Sequence, residues 1–242
     1  QTVEWSLSRL SEDELTLFLR LSVFDGGWTV ETAERICEGG SVKSWDVVQL
    51  LVSLLDRSLI ESQSGAPRGR SIPRSRMLQT LREHARSRLE RDEMDSLARR
   101  HQDHFLNWIS PGGRRLPPVA EPSWFDQVAA ERVNLRQALS RCLQNGDVSS
   151  AAAAIEGLLR FWEVRGHWDE AISYGSAVLD GTEIDLVQRV PLLIGVGGSA
   201  AARGATDWAR KQLEEAREGS IRLGDPGLLA RCSHRLASLS FE

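Results

Sequence analysis

The chain has 242 residues, with 30 lysine and arginine residues against 34 aspartate and glutamate residues, and a formal net charge of −4. This acid excess excludes a general polycation that coats nucleic acid, and the 41% hydrophobic content excludes a disordered chain. No window approaches the roughly 18 consecutive apolar residues of a membrane span. The three cysteines fit neither a disulfide framework nor a zinc site. We therefore expect a cytoplasmic globular protein of one or two domains.

Basic residues are concentrated in one stretch. Residues 68–115 contain twelve arginines against six acidic residues, whereas the rest of the chain is acidic. Such an asymmetry indicates a surface that meets a negatively charged partner, and the alternative is a solvated helix face.

The first part of the chain predicts three helices. Ser11 followed by Glu14 is the signature of a capping box, and apolar residues at helical spacing continue to residue 23. Thr29 is a candidate cap for a short second helix that ends at Gly39-Gly40. A third helix is expected from Ser44 to Asp56.

Two extended segments, 59–62 and 74–78, follow, with a Gly-, Pro- and Arg-rich loop between them at 64–73. Three helices and then a β-hairpin is the order of a winged-helix domain, which we place at residues 1–91. Residues 92–122 are predicted to be a connecting helix and a Pro/Gly linker. The predicted helices of this region are 79–89 and 93–109.

Residues 123–242 predict only helices, joined by short connections that favour antiparallel neighbours. Gly166 and Ala171 recur 38 residues later as Gly204 and Ala209, near the 34-residue period of tetratricopeptide repeats. We therefore expect a mainly α protein in which a winged helix precedes a tetratricopeptide-like helical superhelix. The chain starts without Met and stops inside a helical pattern, which suggests a piece of a longer protein. The predicted helices are 123–144, 147–165, 168–180, 184–203, 206–223 and 226 to the end.

No motif predicts an enzyme, a cofactor site or a metal site in this chain. The glycines of residues 190–201 have GxG spacing, but no strand-helix-strand unit surrounds them, so a helix with small packing residues is the interpretation. His101 and His104 are three apart on a predicted helix, but metal sites need three or four ligands. A solvated helix face is the favoured interpretation for the two histidines. The three cysteines are interpreted as small core residues.

The third predicted helix occupies the recognition position of a winged helix, which raises the question of DNA binding. It is apolar nearly all round, whereas a helix that reads a DNA groove needs exposed Arg, Asn, Gln or Ser on one face. DNA binding is possible, and protein packing is the favoured interpretation.

Several segments carry a family resemblance. In this order they resemble the winged-helix and tetratricopeptide-like region of STAND-class regulatory ATPases of the bacterial transcriptional regulator type. The segments are LSVFDGGWT at 21–29, LVSLLDRSLI at 51–60, RMLQTLREHA at 76–85, ERVNLRQAL at 131–139 and LRFWEVRGH at 159–167.

The resemblance implies an upstream P-loop NTPase domain that holds ATP or ADP, onto which the winged helix closes. Members of this class have a Met-His-Asp segment whose histidine contacts the nucleotide, and the matching residues here are Met77, Leu78 and Gln79. Leucine cannot donate a hydrogen bond to a phosphate. The candidates for an interdomain or nucleotide-facing surface are Arg74, Arg76, Leu78, Gln79 and Arg82.

The helical repeats are expected to bind a protein partner or a small-molecule inducer. Four aromatic residues are candidates for that surface, and interhelix packing is the alternative for each. They are Trp162, Trp168, Tyr174 and Trp208. The sequence thus predicts the regulatory and sensor arm of a STAND-type regulator. The alternatives are a DNA-binding winged-helix transcription factor and a tetratricopeptide-like interaction scaffold.

Overall fold

The computed structural model describes residues 2–63, 74–110, 122–181 and 184–239. The predicted hairpin loop at 64–73 and the Pro/Gly stretch at 111–118 lie outside these residues. Twelve helices and three short strands occupy the described ranges. The helices are α1 (Thr2–Leu7), α2 (Glu12–Leu21), α3 (Val30–Cys37), α4 (Ser44–Asp56), α5 (Gln79–Arg88), α6 (Arg91–Ile109), α7 (Pro122–Gln144), α8 (Val148–Arg165), α9 (Trp168–Gly181), α10 (Leu186–Ala202), α11 (Thr206–Leu223) and α12 (Pro226–Ser238), and the strands are β1 (Trp28–Thr29), β2 (Glu61–Ser62) and β3 (Arg74–Arg76).

Residues 1–105 and 130–138 form one compact unit, which contains the winged helix. The predicted capping box starts α2, because the Ser11 side chain accepts from the Glu14 amide and the Glu14 carboxylate accepts from the Ser11 amide. The side chains that fill the core come from α2 to α6 and from the segments between them. Its largest fully buried members are Leu17, Phe18, Leu21, Phe24, Trp28, Ile36, Leu54, Ile60, Leu97 and Phe105.

The three strands form one antiparallel sheet in the order β1-β3-β2. The pairing of β2 with β3 confirms the predicted hairpin, with Glu61 opposite Arg76. Strand β1 was not predicted, since it has only two residues, the second of which is the Thr29 cap of α3, and so carries no alternating pattern. A Cβ on Gly27 would lie 2.7 Å from the Ser75 carbonyl oxygen, so the approach of β1 to β3 requires glycine at this position.

Residues 106–129 and 139–242 form the second compact unit, which is helical throughout its described part. Glycines with positive φ end the turns before α8, α9, α11 and α12, and they are Gly146, Gly166, Gly204 and Gly224. Five residues after the first three of these glycines lies an alanine, and Ala151, Ala171 and Ala209 are each fully buried. The repeated Gly and Ala spacing therefore marks a repeated helix turn and a close helix contact.

The two units divide the chain at other positions than the predicted boundaries near residues 91 and 122. Helix α6 continues the winged-helix unit to residue 105, and residues 130–138 of α7 pack with it. The predicted three-part division did not anticipate the return of α7, because its polar residues resemble a solvated helix face.

The glycine-rich segment at 190–201 is helical, as predicted, and lies within α10 with Pro191 inside the helix. Cys37, Cys142 and Cys232 are buried free thiols, which confirms their interpretation as core residues. Among the described helices, none combines the length and apolarity that crossing a membrane requires.

Candidate functional site

Residues 22–27, which join α2 to β1, form a turn held by side chains from three other elements, and we call it the clamped turn. From α5, Arg82 donates to the Asp25 carbonyl over 2.8 Å, and Arg86 donates to the Ser22 carbonyl over 2.8 Å. Arg86 also donates to the Asp25 carboxylate over 2.9 Å. Charged donors make these bonds stronger than bonds between neutral groups.

Asn134 of α7 contacts the clamped turn through both ends of its side-chain amide. Its oxygen accepts from the Gly26 N–H at 3.1 Å, and its nitrogen donates to the Gly27 carbonyl over 2.9 Å. Asn134 is fully buried. A carboxamide carries a donor and an acceptor, so one side chain satisfies both kinds of backbone group.

Gln137 makes the same kind of contact one helical turn further along α7. It donates to the Val23 carbonyl over 2.8 Å and accepts from the Asp25 N–H at 3.3 Å. Asn134 and Gln137 are three residues apart and therefore lie on one face of the helix. That face of α7 binds the backbone of the clamped turn.

Arg74 of β3 joins the sheet to the same network. It donates to the Gly27 carbonyl over 2.8 Å and forms an ion pair with Glu131 of α7. Glu131 also accepts from the Asn134 amide at 2.8 Å. The side chains of Arg74 and Glu131 are only 15% and 12% exposed, so removing either one leaves a largely buried charge without its partner.

The side chains that bind the clamped turn are those of three arginines and two carboxamides, and ion pairs to Asp25 and Glu131 accompany them. The geometry of the clamped turn fixes the position of α7 along the winged-helix unit. Since each bond needs its own side chain opposite its own backbone atom, sliding α7 by one residue breaks several bonds together. The arrangement is suited to transmitting a displacement.

A second feature of the winged-helix unit is the exposed side of α4, which we call the α4 face. Trp45, Val48 and Val52 are 76%, 49% and 51% exposed on this face. Gln49 and Asp56 are exposed on the same side of the helix. The opposite side packs into the core through Val47, Leu51 and Leu54, so α4 is apolar both inward and outward.

Two of the predicted nucleotide-facing residues, Arg74 and Arg82, lie in the clamped turn network. Their side chains are 15% and 18% exposed, and their guanidinium groups are bound to backbone carbonyls of the same unit. Part of the basic stretch therefore stabilises the winged-helix unit itself.

The other three predicted nucleotide-facing residues lie at a surface. Arg76 is 54% exposed and pairs with Glu61 across the hairpin over 2.9 Å. Leu78 is 44% exposed and caps the start of α5 without a side-chain hydrogen bond. Gln79 donates to the carboxylate of Glu83, one turn further along the helix.

The four predicted partner-binding aromatics differ in exposure. Trp162 is buried, donates to the Glu170 carboxylate over 3.1 Å and stacks on Tyr174 at a centroid distance of 6.1 Å. Trp168 and Tyr174 are half-buried, and Trp208 is 37% exposed. Interhelix packing, the alternative interpretation, therefore describes Trp162.

His101 and His104, for which a solvated helix face was predicted, lie in different surroundings. His101 is fully buried, with ring centroids 5.5 Å from Phe24 and 4.7 Å from Phe105, so the solvated-face interpretation is wrong for it. The reason is that α6 packs this side into the core of the winged-helix unit. Burial lowers the pKa of His104 below its usual range. Within the described ranges, no group of three His, Cys, Asp or Glu side chains could hold a metal ion.

Cys37, at the end of α3, has a strongly perturbed thiol. Burial raises the pKa of Cys37 to about 12, and the nearby Arg20 and Arg100 guanidinium groups oppose this shift only in part. A thiol with this pKa is not a nucleophile at neutral pH.

In the helical unit, side chains of α8 and α12 pack against glycines of α10. A side chain at Gly195 would collide with Leu159 of α8, and one at Gly198 would collide with the Arg235 guanidinium of α12. Arg235 crosses α10 at this point and pairs with Glu163 of α8 over 2.9 Å. The glycines of α10 thus let side chains from both neighbouring helices lie across it.

The comparisons with known proteins bear on the fold of the winged-helix unit. Residues 10–90 match the family described as "Winged helix-turn-helix domain". No solved structure matches the chain significantly.

Over almost its whole length the chain is similar to longer regulators from mycobacteria. Proteins of Mycobacterium bovis and of two Mycobacterium tuberculosis strains, provisionally named HTH-type transcriptional regulators, are each 28% identical to it over 253 residues. These alignments cover 95% of this chain and 26% of each relative. The chain therefore spans about a quarter of the length of these relatives.

Sequence reasoning did not identify the contacts of Glu131, Asn134 and Gln137. The available signal was their spacing, since polar residues at i, i+3 and i+6 share a helix face. The same spacing is typical of a solvated helix, and nothing in the sequence indicates that a distant turn lies against it.

Proposed function

We propose that this chain is the regulatory part of a transcriptional regulator, in which the state of the helical array controls the winged helix through α7. The observation that carries the proposal is the contact of α7 with the clamped turn. Helix α7 is continuous from Pro122 to Gln144, and its residues 130–138 belong to the winged-helix unit while residues 139–144 belong to the helical unit. A movement of α7 therefore acts directly on the turn between α2 and β1.

The finer form of the proposal is a STAND-type arrangement, and it rests on the sequence resemblance. In this form an upstream NTPase domain holds ATP or ADP, and the tetratricopeptide-like helices bind a protein or small-molecule inducer in the cytoplasm. Arg76, Leu78 and Gln79 are the surface residues proposed to face the NTPase domain. The inducer must bind the two states of the array with different affinities to shift their populations.

Direct DNA binding by residues 10–90 is the second candidate, and the comparisons favour it over the ATPase-coupled arm. The family match and the names of the mycobacterial relatives support it. In the Arg68 to Arg91 cluster, Arg74, Arg82 and Arg86 bind the clamped turn, so the exposed Arg76, Arg88 and Arg91 would then contact phosphates. The α4 face argues against base reading by α4. Of its five side chains, only Gln49 has both the donor and the acceptor that base edges require.

The regulatory proposal is tested in the native host with the intact protein. We expect the double variant Asn134→Ala/Gln137→Ala to alter the levels of the same transcripts that deletion of the gene alters. The reason is that α7 loses its hydrogen bonds to the clamped turn, so its movement no longer displaces the turn. Gln144→Ala, an exposed glutamine at the end of the same helix, is the matched control and should leave the transcripts unchanged. The proposal is contradicted if transcript levels in the double variant equal those of the wild type while those in the deletion strain differ.

The second candidate is tested with the purified chain and a fluorescent DNA duplex. When a protein contacts phosphates, the logarithm of its binding constant falls with the logarithm of the salt concentration, with a slope of about 0.9 per neutralised phosphate. A steep decrease between about 50 and 200 mM salt supports direct DNA binding. A chain that leaves the duplex unbound at the lower concentration removes this candidate.

A further inference from the structure

An ion pair of the helical unit joins two helices across a third. Arg235 of α12 pairs with Glu163 of α8 over 2.9 Å. On the way its guanidinium lies against the backbone of α10 at Gly198, so close that a Cβ there would collide with it. Helices of a repeat array contact mainly their neighbours, so an ion pair that spans a whole helix is unusual.

The Glu163 carboxylate is shared by two arginines. Arg235 donates to its Oε1 atom over 2.9 Å, and Arg160, one turn earlier on α8, donates to its Oε2 atom over 3.4 Å. The side chains of Glu163 and Arg235 are 44% and 29% exposed, so a solute in the solvent can reach both. When another anion binds Arg235, Glu163 keeps Arg160 as its partner. This exchange leaves no charge unpaired and avoids the cost of an isolated charge.

Arg231 provides a second cation on the same side of α12. Burial raises the pKa of Glu156 of α8 above its usual range, and the Arg231 guanidinium opposes this shift, which places Arg231 near α8. Arg231 is exposed and, within the described ranges, forms no ion pair. Arg231 and Arg235 are four residues apart, so they are neighbours on one helix face, with Cβ atoms about 5–6 Å apart. We call these two residues the α12 arginines.

The charged side chains that these contacts bring together have a positive balance. They comprise the α12 arginines and Arg160 against Glu156 and Glu163. Burial also disfavours the charged form of Glu156. Residues 190–202 of α10 contain no charged side chain. An anion that approaches the α12 arginines is therefore attracted.

We propose that the α12 arginines bind a small dicarboxylate in exchange for Glu163. A guanidinium group binds a carboxylate through two parallel hydrogen bonds, and two arginines at i and i+4 match two carboxylates of one small molecule. Binding breaks the bridge from α8 to α12, so the helical unit has different contacts with and without the ligand. This assigns a chemical class to the small-molecule inducer, and its regulatory meaning rests on the function proposed above.

Isothermal titration calorimetry of the whole chain with succinate at low ionic strength tests the proposal. We expect the wild type to bind succinate with a Kd of about 1 mM or below. Butyrate has the same number of carbon atoms and a single carboxylate. It should bind at least about 10-fold more weakly, because it occupies only one of the two guanidinium groups.

Variants of both sides of the bridge identify the site. Arg235→Gln and Arg231→Gln should each weaken succinate binding about 10-fold. Glu163→Gln should strengthen it about 2- to 5-fold, since the internal competitor for Arg235 is removed. Misfolding does not raise an affinity, so this variant keeps the test decisive even where an arginine variant is unstable. The matched controls, Arg203→Gln and Asp169→Asn, change another exposed ion pair of the helical unit and should bind succinate like the wild type.

Three results would each overturn the proposal. They are a wild type that binds no succinate at about 10 mM, Arg235→Gln with wild-type affinity, and Glu163→Gln with unchanged affinity. These measurements use the purified chain, whereas the regulatory function is tested by transcript levels in the Asn134→Ala/Gln137→Ala variant. The failure of one is therefore distinguishable from the failure of the other.

Discussion

At the scale of single residues, Gln137 links α7 to the clamped turn through two hydrogen bonds to backbone groups. We expect Gln137→Ala to lower the free energy of unfolding by about 1 to 2 kcal/mol, because the Val23 carbonyl and the Asp25 amide lose their partner. Urea denaturation followed by circular dichroism measures this difference. Gln144→Ala makes the same chemical change at an exposed site of the same helix and should have an effect below about 0.5 kcal/mol. Equal losses in the two variants would show that the bonds of Gln137 are not stabilising.

At the scale of one element, α2 depends on the Glu14 carboxylate. Hydrogen bonds from the Ser53 side chain and the Ser11 backbone, together with the Arg57 guanidinium, hold the pKa of Glu14 below its usual range against the opposing effect of burial. A carboxylate with a lowered folded pKa stabilises the fold above its unfolded pKa of about 4.3, and this stabilisation is lost as the pH falls through the folded pKa. We expect Glu14→Gln to cost about 1 kcal/mol at pH 7 and progressively less from pH 5 downward.

Unfolding titrations of the wild type and Glu14→Gln at several pH values measure this dependence. Glu12→Gln removes an exposed carboxylate from the same helical turn and serves as the control. A difference between wild type and Glu14→Gln that stays constant from pH 7 to pH 3 would contradict the assigned role of the charge.

The elements themselves were largely predictable, for physical reasons that are visible in α2 and α8. Ser11 with Glu14 marks the start of α2, and Gly166 with φ of 71° ends α8 after a helical apolar pattern. These signals are local, since they depend on residues within one turn of the helix end. Strand β1 and the first helix, α1, were missed because two and six residues are too short for a periodic pattern.

The candidate site was less predictable than the elements. Arg74 and Arg82 were singled out for their charge, but their partners are backbone carbonyls of a turn about fifty residues earlier in the chain. Every residue has a backbone carbonyl, so residue types do not show which carbonyl accepts a hydrogen bond. The sequence can therefore indicate a donor without identifying its acceptor. The apolar character of α4 was predicted, but the exposure of its outer side was not. When both sides of a helix are apolar, periodicity does not show which side faces the core and which faces solvent.

At the scale of the whole molecule, the winged-helix unit is completed by residues far from it in sequence. A fragment of residues 1–110 contains α1 to α6 but lacks Asn134 and Gln137, whereas a fragment of residues 1–144 contains both. We expect the shorter fragment to melt at least about 5 °C lower, because two side chains that bind the clamped turn are absent. Thermal denaturation of the two fragments measures the difference. Faster hydrogen exchange at the Asp25 and Gly26 amides in the shorter fragment locates the effect, and equal melting temperatures would contradict it.

The clamped turn is recognised mainly through its backbone, since α5, α7 and β3 contact four of its carbonyls and two of its amides. The composition of Ser22 and Val23 can therefore change without the loss of a bond from these elements. The number of residues in the turn cannot change, because one insertion would move every later backbone group away from its donor or acceptor. The hydrogen bonds of the joint are therefore intolerant of insertion or deletion, whereas close packing at Gly27 and burial of Phe24 are what limit substitution.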